Sequence, residues 1–163
     1  MVEFANWLQA TPFSVAMQTR TWLIALLQAI HILMIGVVFV SLLMISLRVL
    51  DRVHREESFP TVWARFAPWM WSGLAVMAIT GLFLVIGEPV RQATATSFWL
   101  KMGLLAVAVS CVLWLRRALA NQPGPEPARA TRVVAGAVIV VLVAIIFLGR
   151  AIAYDVEVWG SWT

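Results

Sequence analysis

Charge is scarce in this chain. Of 163 residues only 12% are Asp, Glu, Lys or Arg, about half of what a soluble domain carries. With 62% apolar residues and a mean hydropathy of +0.90, the composition excludes an ordinary soluble domain and points to an integral membrane protein. One cysteine, Cys111, excludes an internal disulfide; it lies in an apolar run, where it reads as a small packing residue. Histidine is nearly absent too, with two in the chain. A basic n-region is missing from the opening MVEFANW, and the first apolar run is too long for an h-region, so no cleavable signal peptide is expected. The net charge of +4 is no nucleic-acid signal, because the arginines flank apolar runs as membrane topology requires. No internal repeat is visible, and low complexity is limited to the Pro/Ala turn at 123–128.

What is present is a set of long apolar runs. At roughly 20 residues per span, the length allows about four spans with short connections. Residues 3–19 read as an interfacial segment: Phe4, Trp7, Leu8 and Val15 fall near one helical face, and Pro12 breaks or restarts the helix. The first span covers about 21–47, between Arg20 and Arg48; as a helix it extends roughly 40 Å, which requires tilt or protrusion. The polar connection DRVHREESFP and the aromatic belt TVWARFAPWMW lead to a second span at about 67–87, which Gly87 and Pro89 stop. A third span lies at about 98–119. The Pro-rich turn NQPGPEPARAT follows, then a fourth span at about 131–153 and the tail YDVEVWGSWT. The expected fold is all-α, a single membrane domain over 1–163: a four-transmembrane-helix bundle with a short N-terminal interfacial helix.

Basic residues orient the bundle. The first connection with its flanks carries Arg48, Arg52, Arg55 and Arg65; the third carries Arg116, Arg117, Arg129 and Arg132. Arg20 and Arg91 stand alone on the other side. By the positive-inside rule the first and third connections are cytoplasmic, and both termini face the periplasm of a bacterial inner membrane.

That topology gives depth to the remaining ionisable residues. His31 lies roughly 15 Å in from the outer end of the first span. Lys101, Arg150 and Glu88 belong to the outer ends of the third, fourth and second spans. A histidine within a span is costly and marks a ligand, cofactor or proton site, with a plain hydrogen bond to a neighbouring helix as the structural reading. Lys101, Arg150 and Glu88 are near enough to the interface to act as snorkelling anchors instead. Gln28, His31, Ile35 and Val38 share a face of the first span; Met77, Gly81, Leu84 and Glu88 form a stripe on the second, where Gly73 and Gly81 admit a close helix or a flat ligand. Phe147, Arg150 and Tyr154 share a face of the fourth.

A neutral imidazole in an apolar bundle suits axial ligation of haem iron, with Arg or Lys at the membrane edge holding propionates. His54 lies in the first connection, so a second ligand would be Lys101 or a methionine. Copper is the competing metal, bound by imidazole and thioether, although no tight Met-x-Met or His-x-His cluster is present.

The runs WLIALLQAIHILMIGVVFVSLLMISLRVL, FAPWMWSGLAVMAITGLFLVIGEPVR, FWLKMGLLAV and FLGRAIAY resemble a bacterial family of four-helix integral membrane proteins of unknown function, over nearly the whole chain. More distantly they resemble the four-helix protoporphyrinogen oxidase and the membrane domain of copper resistance protein D. The first resemblance implies haem b associated with a first-helix histidine and a third-helix lysine, here His31 and Lys101; the second implies copper. The resulting expectation is a haem b-binding membrane protein. His31 would be its metal ligand and His31, Lys101 and Arg150 its cofactor-binding residues, with electron transfer or redox chemistry near the periplasmic leaflet. The alternatives are a non-catalytic anchor subunit and a copper or small-solute permease. The expected partners are the lipid bilayer and either other membrane subunits or further copies of the chain.

Overall fold

A computed structural model describes residues 2–120 and 127–154; the Pro-rich turn at 121–126 and the tail from 155 lie outside the described residues. In chain order the helices are α1 (Val2–Gln9), α2 (Pro12–Gln18), α3 (Thr21–Val49), α4 (Phe59–Gly87), α5 (Pro89–Thr94), α6 (Thr96–Ala120) and α7 (Arg129–Ala151), closed by a 3₁₀ turn at Ile152–Tyr154. No strand occurs among the described residues. Helices α3, α4, α6 and α7 are each long and apolar enough to cross a membrane, the mark of a multi-pass membrane protein. At 29 residues each, α3 and α4 extend about 43 Å, well beyond a hydrocarbon core of about 30 Å.

The local chemistry sets where these helices begin and end. Pro12 opens α2 behind an N-cap at Thr11, whose side chain accepts from the Ser14 amide, so the interfacial segment is two short helices rather than one. Ser58 caps α4 in the same way, with Pro60 in the first turn. The second long helix therefore starts at Phe59, about two turns before the expected span at 67. TVWARFAPWMW is helical throughout, with Pro68 inside the helix, as membrane helices tolerate. At the far end Gly87 closes α4, but the chain makes α5 at once.

Successive long helices run antiparallel. Packing follows the order α4–α3–α7–α6: α3 lies against α4 and α7, and α6 against α7. The arginine-rich connections therefore gather at one end of the bundle, and α1, α2 and α5 gather at the other. There α1 lies along α5, and α2 wedges against α3 and α4. Buried Ser14 donates from Oγ to the Ile86 carbonyl at 2.7 Å, tying α2 to the last turns of α4.

The two halves of the bundle are filled differently. Towards the arginine-rich end the core is made of Val38, Leu42, Val49, Met70, Val112, Leu115, Ala135, Val138 and Leu142. Gly73 brings α4 close to α3, since a Cβ there would meet Val38 Cγ2 at 2.7 Å. Towards the α5 end no described residue of α3 before Val38 is buried. The residues that α4 and α6 bury in that half are Thr80, Gly87 and Ser97, and α7 buries Ile145 there. His31 and Lys101 lie in this second half.

Candidate functional site

His31 projects from α3 toward α4. Its Nδ1 lies 2.8 Å from the hydroxyl oxygen of Thr80, which is 5% exposed. The Thr80 hydroxyl donates to the Val76 carbonyl at 2.8 Å, with the Met77 carbonyl at 3.3 Å. A hydroxyl has one proton, and here a carbonyl takes it. The Thr80 oxygen therefore accepts from His31 Nδ1–H, an assignment made from the hydrogen-bond network. The neutral ring then carries its proton on Nδ1 and keeps a lone pair on Nε2.

Gly81, the next residue of α4, admits the ring. A Cβ at Gly81 would lie 3.3 Å from His31 Cε1 and 3.9 Å from Nδ1. The stripe read from the sequence thus supplies the glycine that faces the histidine. The polar partner beside it, Thr80, is the residue that sequence reasoning missed. A threonine in an apolar span beside a glycine carries little signal of its own, since its hydroxyl is satisfied on its own helix.

Lys101, the chain's one lysine, is half-buried and lies across α7. Its Nζ is 3.7 Å from where a Gly149 Cβ would stand. It has no hydrogen-bond or ion-pair partner among the described residues. Arg150 follows Gly149 but is exposed, on the face of α7 that carries Phe147 and Tyr154, outside the His31–Thr80 contact. Glu88 pairs with Arg91 at 2.7 Å. Met77 and Cys111 pack against the core. His54 sits at the arginine-rich end, 2.9 Å from Glu57 Oε1, so a single histidine faces the interior among the described residues. No group of three or more His, Cys, Asp or Glu that could hold a metal occurs among them.

The outcome is a four-helix membrane bundle with a histidine on α3 oriented by a threonine on α4, and with one half-buried lysine on α6 lying against α7. Residues 4–155 match the family described as "Family of unknown function (DUF6644)", and the chain belongs to that family. No curated protein and no solved structure matches it.

Proposed function

We propose that this protein binds haem b, with His31 as the iron ligand, and takes part in electron transfer or redox chemistry near the periplasmic leaflet of a bacterial inner membrane. One observation carries this reading: Thr80 holds the His31 ring through Nδ1, leaving Nε2 as the donor atom. Ligating histidines are held in this way, with the second nitrogen donating to a fixed acceptor that sets tautomer and orientation.

The residues present fit the group. The His31 imidazole, held through Nδ1 by Thr80 and seated against Gly81, offers Nε2 as a donor to iron, with Lys101 and Arg150 as the cations toward the same end of the bundle. Lys101 would serve in one of two protonation states: as a neutral amine it would be a second ligand to the iron, and as an ammonium it would hold a propionate. Arg150, exposed at the rim, offers a guanidinium to the other propionate. Haem bound at this place supplies one-electron redox chemistry. The chain's own part is to bind and to orient the imidazole.

The test is an absorption spectrum of protein purified from haem-replete cells. A Soret band and a pyridine haemochromogen are expected, with loss or displacement of the band in His31→Ala. A colourless wild-type preparation overturns the reading.

The anchor-subunit reading is favoured by a different face. Val133, Val140 and Phe147 on α7 are 65%, 70% and 72% exposed, aligned at a heptad spacing that suits a neighbouring apolar helix. A stoichiometric partner co-purifying in mild detergent would support it.

A further inference from the structure

A cavity lies at the α5 end, outside the His31–Thr80 contact. It has a volume of about 710 Å³ and is lined in part by Gln9, Gln18 and Gln28, with Glu88 and Arg91 on its wall. That size is in the range of small-molecule sites, about 300–1,000 Å³. We infer that this cavity is a binding site for a neutral amphiphile bearing hydroxyl or carbonyl oxygens on a ring, the chemistry of a membrane quinol or quinone.

Three features carry the inference. The first is charge. Arg91 and Glu88 are hydrogen-bonded to each other at 2.7 Å, so the wall is neutral as a unit and favours a neutral headgroup over a phosphate. The second is a built acceptor. Ser14 is fully buried and gives its proton to the Ile86 carbonyl. It must therefore accept from Gln18 Nε2, which lies 2.9 Å away. This fixes the orientation of the Gln18 carboxamide and leaves its carbonyl oxygen without a partner among the described residues, ready for a ligand hydroxyl. The third is an unengaged amide. Gln28 stands in the first third of α3, one turn before His31, with an exposed side chain whose carboxamide has no partner among the described residues. An amide in an apolar span is costly unless something engages it. The remaining lining, Ile24, Ala25, Gly87 and Val90, supplies an apolar floor. The cavity sits where the interfacial helices meet the spans, so its ligand enters from the bilayer.

The inference does not depend on the haem reading, because His31 is not part of the lining. The test uses the full chain in detergent, titrated with decylubiquinol and decylubiquinone and read as ligand retained above a micelle blank. Saturable retention of about one equivalent is expected, weakened about tenfold or more in Gln28→Leu, the loss that follows when a hydrogen bond worth roughly 1.4 kcal/mol is removed. Ala25→Phe, which fills the cavity from an exposed position, should weaken it as much. Gly103→Ala, where no atom lies within 4 Å, should bind as wild type, and melting temperatures check that all variants fold. Retention no greater than the blank overturns the inference. So does equal retention in Gln28→Leu and Ala25→Phe, or equal displacement by lysophosphatidylglycerol. A colourless preparation that retains the quinol defeats the haem reading alone, whereas a haem-bearing one that retains none defeats only this inference.

Discussion

Thr80 and Gly81 act on one imidazole in different ways, one by holding it and the other by making room. Thr80→Val keeps the shape of the threonine and removes the acceptor of His31 Nδ1–H. Haem affinity is expected to fall about 10–100-fold, as it does when the outer partner of a ligating histidine is lost. Fold stability should fall by about 0.6–1.7 kcal/mol, the size of an interhelical hydrogen bond in a membrane protein. Haem content per protein and thermal unfolding in detergent check the two effects. Gly81→Ala places a methyl 3.3 Å from His31 Cε1, so the ring must shift by a few tenths of an ångström. The expected result is a displaced Soret band in a protein that still melts as wild type. His31 was legible in the sequence because a histidine among leucines and isoleucines stands out by its cost. Thr80 was not, because a threonine satisfies itself on its own helix, and its second partner is set by how α3 meets α4.

Among the helices, the contact between α3 and α4 is the tightest. Gly73→Ala would put Cβ 2.7 Å from Val38 Cγ2, and a β-branched side chain packed in the core has little freedom to move. The helices must separate, at about 1–3 kcal/mol, a typical penalty for overpacking. Gly136→Ala has open space around it and should be neutral or slightly stabilising, since alanine is the better helix former; thermal melts of the two variants check the contrast. The link between these helices is held by Glu57. Its backbone carbonyl accepts from Arg48 Nε at 2.8 Å, and its carboxylate accepts from Arg65 at 3.1 and 2.7 Å. The Arg65 hydrogen bonds hold the Glu57 carboxyl below the usual glutamate value, with His54 adding to the effect and partial burial opposing it. A carboxyl lowered in the folded state contributes stability that is full above its unfolded value, about 4.3. That contribution is lost as pH falls through the lowered folded value. Proteolysis within 50–58 should therefore increase below about pH 4, and Glu57→Gln should remove that pH dependence. The sequence marked this stretch as a polar connection. It did not reveal that Asp51 and His54 adopt positive φ, 58° and 54°, in a connection where Arg48 meets the Glu57 carbonyl and Arg65 meets its carboxylate.

For the whole molecule, the arginines and the uneven filling of the bundle divide one end from the other. In the proposed orientation, which follows the positive-inside rule, Arg48, Arg52, Arg55, Arg65, Arg116, Arg117, Arg129 and Arg132 face the cytoplasm. Alkaline phosphatase fused after residue 154 is then expected to be active and the same fusion after residue 120 inactive; the reverse pattern would invert the proposed leaflet for His31. The sequence alone was enough for the helical class and the approximate spans, because a bilayer demands long apolar segments whatever they pack against. It was also enough to single out His31 and Lys101, because ionisable side chains at depth are conspicuous. Tertiary structure decided the rest. It joined His31 to Thr80 and Gly81 across two helices, laid Lys101 against Gly149, and left Arg150 on the exposed face of α7. It also set Gln9, Gln18 and Gln28 around one cavity. The physical reason is that apolar residues lie on every side of the spans, so periodicity does not reveal which side meets a neighbour. Helix rotation and partner choice depend on contacts such as Gly73 with Val38, and those exist only once the helices are packed.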